Sequence, residues 1–203
     1  MRRIALTGGI ATGKSHVITR LREHGVPVVD ADVLSRESVA ASSPGLGAVV
    51  ARFGPTILGP DGTLDRARLG AIVFNDPEAR RDLEAIVHPF VRQGIEDFFG
   101  ALPVSEPFAV ADVPLLYETG RDDRFGAVIV VACTPEAQLE RVMARDALTR
   151  EDAERRIASQ WPIAEKVKRA DYVIRTDGTY ADTNSQVLEL VRRLRREAER
   201  AET

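Results

Sequence analysis

Several things are scarce in this sequence, and each scarcity excludes something. There is one cysteine, Cys133, in 203 residues, so no intrachain disulfide framework can form. A lone thiol at the end of an apolar run behaves as a small hydrophobe, which suits a reducing compartment. No apolar run approaches the ~20 residues that a membrane helix requires. The stretch behind Arg2 and Arg3 is too short for a secretion signal and is broken by glycine. The expected location is therefore the cytoplasm, with no membrane partner. Basic residues number 28 against 31 acidic, a formal charge of −3, which leaves no broad basic field and makes nucleic acid a poor partner. Repeats, low-complexity segments and interdomain linkers are also missing. What remains is an ordinary globular composition, 44% hydrophobic and 29% charged, long enough for one domain with insertions.

The informative stretch comes first. Arg3 to Thr7 is an apolar run of strand length. It breaks into Gly8-Gly9-Ile10-Ala11-Thr12-Gly13-Lys14-Ser15-His16, after which Val17, Ile18 and Leu21 mark one face of a helix. Strand, loop with the spacing Gly-x4-Gly-Lys-Ser, and helix together form a phosphate-binding P-loop. Gly8 and Gly13 are expected to take positive φ, so that successive N–H groups turn inward around a phosphate chain. The helix N-terminus adds partial positive charge. Lys14 reaches the β- and γ-phosphates in this reading, and the Ser15 hydroxyl ligates Mg²⁺. The motif implies a nucleoside triphosphate.

Gly25 then caps the first helix, and Val26 to Asp30 reads as a second buried strand ending in Asp30-Ala31-Asp32. Two carboxylates at the C-terminal end of a strand lie where open α/β sheets bind ligands. The plainer alternative is that Asp32 only caps the next helix. Residues 33–105 hold no good parallel strand. Leu46, Val49, Val50 and Phe53 share a helix face, Asp61-Gly62 is a turn, and Asp65 is an N-cap for a helix over 66–74. A further helix is expected from Asn75-Asp76-Pro77 to His88-Pro89, and another beyond it carrying Val91, Ile95, Phe98 and Phe99. His88, ahead of a proline, reads first as structural.

Phe108 to Val113 is the third strand, and Asp112 near its end falls where a carboxylate reaches Mg²⁺ or its water shell. A charged loop, Arg121 to Arg124, precedes the fourth strand, Ala127 to Ala132. Thr134 and Pro135 then open a helix. Gln138, Arg141 and Arg145 recur at spacings of three and four on it, and Arg156 and Gln160 on a second helix opened by Thr149. A solvated charged face is the bland account of that pattern. With a P-loop upstream, an arginine lid over the triphosphate is the stronger one, because the planar guanidinium fork bridges phosphate oxygens. Ala170 to Ile174 is the fifth strand, followed by a helix with Val187, Val191 and Leu194 on one face and a charged, fraying tail from Arg195. Five strands alternating with helices imply an α/β fold. It is a P-loop NTPase type with a doubly wound five-stranded parallel sheet, a helical insertion and a helical lid. Segments 1–32 and 106–203 form the nucleotide-binding core, with the lid at about 138–160, and 33–105 the insertion.

Over nearly its whole length the chain resembles the dephospho-CoA kinase family. The resemblance rests on Thr7-Gly8-Gly9-Ile10 through Lys14-Ser15, Asp30-Ala31-Asp32, Leu83-Glu84 with His88-Pro89, and Asp112-Val113-Pro114-Leu115-Leu116-Tyr117-Glu118. It continues through Gln138, Arg141, Arg145, Arg156, Gln160, Lys166 and Ala170-Asp171. It implies that ATP phosphorylates the ribose 3′-hydroxyl of dephospho-CoA, in the last step of coenzyme A synthesis, with Mg²⁺ as cofactor; a monomer is the expected state, with an oligomer left open. Asp32 is then the base, with Lys14 and Arg141 as the other catalytic groups. Gly8 to His16 and Arg145 hold ATP. Ser15, Asp112 and Asp30 serve the metal, and Asp32, His88, Leu115, Tyr117 and Glu118 face the acceptor, which the insertion binds. Three residues depart from the family pattern: Ala11 for glycine, His16 for threonine, and Thr176 for an asparagine near the adenine. A nucleoside monophosphate kinase fits the loop, insertion and lid equally well and lacks only the family-specific segments. A nucleotide switch would need Asp123-Arg124-Phe125-Gly126 to act as Asp-x-x-Gly, but no Asn-Lys-x-Asp motif accompanies it.

Overall fold

The computed structural model of the protein describes residues 1–120 and 122–201. Arg121, at the head of the expected charged loop, and the last two residues of the expected tail lie outside the described residues. The strands are β1 (Arg2–Gly8), β2 (Val28–Asp30), β3 (Phe108–Asp112), β4 (Ala127–Ala132) and β5 (Tyr172–Arg175). The helices are α1 (Lys14–Glu23), α2 (Ala31–Ser38), α3 (Pro44–Phe53), α4 (Arg66–Asn75), α5 (Pro77–Ala101), α6 (Pro135–Asp146), α7 (Arg150–Ala158), α8 (Ile163–Lys168) and α9 (Tyr180–Ala201). Each expected strand is present, β4 with the expected ends and the others with ends moved by no more than two residues; β2, expected to be buried, is half-buried. The chain divides into two compact units, Met1–Val29 with Leu102–Thr203, and Asp30–Ala101.

The first unit is built on a sheet of order β2-β3-β1-β4-β5. β1 pairs in parallel with β3 and β4, setting Leu6 opposite both Asp112 and Ile129, and β4 pairs in parallel with β5. Side chains alternate between faces along a strand. Ile4, Leu6, Phe108, Val110, Ile129 and Val131 pack with Val17, Ile18 and Leu21 of α1 and Val187, Val191 and Leu194 of α9. The intervening positions are smaller: Ala5, Ala109, Ala111, Val128, Val130 and Ala132, all buried. Cys133 is buried behind β4, as a small hydrophobe should be, and burial pushes its thiol pKa up. β1 lies between β3 and β4, so the connection leaving its C-terminal end sits where the strand order reverses, the usual ligand position in such sheets. α9 runs unbroken through the segment expected to fray from Arg195. Arg195 donates to the carbonyl of His24 at 2.8 Å and Glu197 pairs with Arg2, which tie that end down.

The second unit is helical. Its core gathers Val39, Val49, Ile57 and Leu69, with Leu83, Ile86 and Val87 packed against them. Local chemistry starts each helix: Asp30 caps α2, Ser43 ahead of Pro44 caps α3, Asp65 caps α4, and Asp76 accepts from the amides of Glu78 and Ala79. The expected break at His88-Pro89 does not occur. α5 continues from Pro77 to Ala101 with Pro89 inside it. An interior proline costs about 3 kcal/mol. Burying a large apolar side chain returns about 1.5–3 kcal/mol, and Val91 and Phe99 beyond the proline are both buried, so packing outweighs the local penalty.

Candidate active site

Only some of the expected positive-φ positions behave as the motif suggests. Gly13, the residue before α1, has φ 85°, and its carbonyl accepts from the amides of His16 and Val17. Gly8 is not left-handed. It is glycine for space, because a Cβ there would lie 2.7 Å from Thr12 Oγ1 and from the Val131 carbonyl. The second left-handed residue of the loop is instead Ala11, at φ 56°. That conformation costs an L-residue about 1–2 kcal/mol, strain that functional loops hold when their surroundings fix them.

The surroundings are polar and buried. Thr12 Oγ1 donates to the Gly9 carbonyl at 2.9 Å. Thr176 Oγ1 donates to the Thr12 carbonyl at 2.7 Å and accepts from Arg141 Nη1 at 3.0 Å, while Arg141 Nη2 donates to the Thr176 carbonyl at 2.6 Å. Thr176 is thus a strut beneath the loop, against Gly13, and not a side chain turned to a base. Gln138, on α6, donates through Nε2 to the Ile10 carbonyl at 2.9 Å. Gln160, just past α7, accepts from the Ile10 amide at 2.8 Å. Lys166 of α8 is fully buried, paired with Glu118 at 2.7 Å, and has longer contacts to the carbonyls of Gly8 and Pro114 at 3.4 and 3.5 Å.

The charged groups are arranged around this loop. Lys14 Nζ lies 2.6 and 2.5 Å from the two oxygens of Asp112, whose side chain is 3% exposed. Ser15 is exposed on the first turn of α1. His16 Nε2 lies 2.8 Å from Asn184 Oδ1, with its ring against Tyr180. Arg145 grips Asp146 with two hydrogen bonds, at 2.8 and 2.9 Å, and Arg156 reaches the same carboxylate at 2.9 Å. The Arg145 hydrogen bond holds the Asp146 pKa below the usual carboxylate range. Two of the three arginines expected in a lid therefore converge on an aspartate that the motif reading left unassigned.

The residues expected on the acceptor side have mixed surroundings. Asp30 Oδ1 accepts from the amides of Asp32 and Val33, so Asp30 is the cap of α2. Asp32, the residue suspected of capping, is exposed in the first turn. His88 is half-buried within α5. Leu115 is exposed. Glu118 is committed to Lys166 and to the Trp161 amide, which it accepts at 3.0 Å. The Tyr117 ring stacks on Trp161, and burial pushes its pKa up to about 12. Sequence reasoning named Gln138, Gln160 and Lys166 but did not foresee their partners. The available signal for the two glutamines was their type: uncharged amides in an otherwise charged segment.

Among the described residues, no group of three or more His, Cys, Asp or Glu side chains is assembled for a metal. A hydroxyl at Ser15 and a carboxylate at Asp112 nevertheless fit Mg²⁺, which commonly takes one or two protein oxygens and completes its shell with phosphate and water.

A P-loop leaving the central strand of a parallel sheet, with Lys14 opening the next helix and arginines on a following helical pair, defines a P-loop kinase. A family model for dephospho-CoA kinase matches residues 2–182. The dephospho-CoA kinase of Geobacillus kaustophilus is 47% identical over 93% of this chain and 94% of its own length. Among solved structures, TT1252 from Thermus thermophilus superposes with a TM-score of 0.80 at 35% identity, covering 94% of this chain and 95% of that one. Dephospho-CoA kinase from Campylobacter jejuni does so at 0.72 and 32%, with the same coverage. The chain belongs to the dephospho-CoA kinase family, and its function is phosphoryl transfer to dephospho-CoA.

Proposed function

We propose that the chain transfers the γ-phosphoryl group of ATP to the ribose 3′-hydroxyl of dephospho-CoA, giving coenzyme A and ADP, as an alcohol-acceptor phosphotransferase of the cytoplasm. The observation that carries the acceptor side is the division of labour between two aspartates: Asp30 caps α2, which leaves Asp32 exposed in the first turn and unneeded as a cap. Asp32 orients the hydroxyl and accepts its proton as the new P–O bond forms and the bond to the ADP oxygen breaks. The helical segment, 33–105, contributes the acceptor-side residues, His88 among them, and Leu115, Tyr117 and Glu118 support that side from the loop after β3. Lys14 exchanges Asp112 for phosphate oxygens, and the amides from Gly8 to His16 cradle the triphosphate. Ser15, with Asp112 or Asp30, would hold Mg²⁺, which neutralises phosphate charge when bound. Arg141 and Arg145, with Arg156 beside them, stabilise charge on the moving group, and closure of α6 and α7 excludes water that would otherwise waste ATP.

The test is an ATP/Mg²⁺ assay offering dephospho-CoA, CMP, AMP, adenosine and shikimate, run with the wild type and Asp32→Asn. Dephospho-CoA should be the preferred acceptor, and Asp32→Asn should lose about 10²–10⁴-fold in turnover with ATP affinity retained. Preference for another acceptor overturns the substrate; near-normal turnover removes Asp32 as the base.

A further inference from the structure

We infer that Gln138 and Gln160 are positioning residues that clasp the Ile10 backbone from both sides and so couple the α6–α7 hairpin to the P-loop. The inference rests on the P-loop serving as the ATP site. Ile10 is held by its two backbone groups: its N–H by Gln160 at 2.8 Å and its C=O by Gln138 at 2.9 Å, side chains 150 and 128 residues away. Within the loop itself, Thr12 N and Oγ1 both turn back to the Gly9 carbonyl, so that short network leaves Ile10 to the glutamines. The residue that follows, Ala11, is left-handed at φ 56°, a strained conformation of the kind that persists where the surroundings fix the backbone.

Two further observations give the clasp its weight. Gln138 is 4% exposed, so an unmade hydrogen bond there leaves a desolvated polar group with no water to satisfy it. Gly9 is matched to it: a Cβ at Gly9 would lie 2.6 Å from Gln138 Nε2, so the carboxamide fits only over glycine. A cleft of about 480 Å³ opens between α6 and α7, lined by Gln138, Leu139, Ile157, Ala158 and Gln160. Hydrophobic packing is therefore incomplete beside the clasp, and the hydrogen bonds carry the connection from hairpin to loop.

The polarity of the two contacts is set by the backbone, because a peptide N–H can only donate and its C=O can only accept. Gln160 must present oxygen and Gln138 must present its NH₂. The same change, glutamine to glutamate, thus has opposite consequences. A carboxylate at position 160 still accepts, whereas one at position 138 has no proton to give and faces a carbonyl. Both place one negative charge beside the same residue, so their difference reads hydrogen-bond polarity and not charge.

The experiment compares the full-length wild type, Gln138→Glu, Gln160→Glu and Gln160→Leu by kinetics with ATP and dephospho-CoA varied in turn, by titration with a fluorescent ATP analogue, and by thermal unfolding. Gln138→Glu should lose about tenfold more kcat/KM for ATP than Gln160→Glu, about 1.4 kcal/mol, and Gln160→Leu should resemble Gln138→Glu. KM for dephospho-CoA should stay within about twofold. Equal losses in the two glutamate variants, or losses confined to KM for dephospho-CoA, overturn the clasp. If Gln138→Glu does not fold, the two variants at Gln160 decide: the leucine variant should bind the analogue more weakly than the glutamate variant despite the latter's charge, and the reverse order overturns the inference. A wild type that binds the analogue, with variants in the expected order, but does not phosphorylate dephospho-CoA supports the clasp and overturns the acceptor reading.

Discussion

The two units hold their polar side chains in different ways. In the helical unit the hydrogen bonds are mostly local: Asp65 to the amides of Ala67 and Arg68, Ser43 to that of Leu46, Arg80 to Glu84, Gln93 to Asp97. In the sheet unit the ties near the P-loop span the chain: Thr176 to Thr12, Gln160 to Ile10, Lys14 to Asp112, Lys166 to Glu118. Local bonds start helices and leave their mutual packing mainly to apolar contacts, the exposed Arg52–Asp82 pair between α3 and α5 being an exception. Long-range buried bonds fix one backbone conformation, because each broken one strands a desolvated group. The unit that must present amides to a triphosphate is built by the second method. The helical unit owes its shape to small residues and side-chain volume.

The largest test of this contrast is at Lys166. Its ammonium is fully buried against Glu118, whose other oxygen, Oε2, is buried with no hydrogen-bond partner among the described residues. Removing one partner of a buried pair strands the other, at about 3–5 kcal/mol. Lys166→Met should therefore lower Tm by roughly 6–20 °C for a chain of this size. Adding Glu118→Gln should recover part of the loss, since the stranded charge is then gone. A single variant as stable as the wild type would show that the buried tie does not support the sheet unit.

Packing in the helical unit is probed by two glycines of one helix. A Cβ at Gly45 would lie 2.1 Å from the Ser38 carbonyl, so α2 and α3 approach there at backbone distance. Gly47, two residues on and exposed, has nothing within 4 Å of its Cβ position. Gly45→Ala should destabilise by about 1–3 kcal/mol through overpacking, while Gly47→Ala should stabilise by about 0.5–1 kcal/mol through helix propensity. Denaturant midpoints measure both, and equal signs would mean that close approach does not organise this unit.

How much of this could be read from the residues alone follows the same division. The P-loop, the strands and the caps at Asp65, Thr134 and Thr149 were legible because their chemistry is complete within a few residues. The partners of Gln138, Gln160 and Thr176 were not. Their targets are backbone atoms far away in sequence, and a backbone carbonyl has no residue type to recognise. Pro89 misled for a related reason: its local penalty is legible, but the burial of Val91 and Phe99 that outweighs it is tertiary. The pair at Asp30 and Asp32 was found, but which of them caps α2 depends on backbone geometry that one-residue spacing does not encode.

The smallest expected effect separates reach from burial. Glu197 is tied to Arg2 across nearly the whole chain at 2.7 Å, yet its side chain is 32% exposed. The Tyr172 hydroxyl, then Arg193 at 2.8 Å, and then Arg2 hydrogen-bond its carboxylate and hold its pKa down at about 2. A depressed carboxylate pKa means the folded state favours the charged form. The contribution is therefore present above the unfolded value, near 4.3, and is lost as pH falls toward 2. Solvent screening limits its size to about 1 kcal/mol. Glu197→Gln should melt about 2–4 °C below the wild type at pH 7, with the gap narrowing steadily from pH 5 to pH 3. If long reach alone made a tie strong, this variant would fall as far as Lys166→Met and the gap would be as wide as that one at neutral pH. If burial decides, the exposed tie stays minor however far apart its ends lie in sequence.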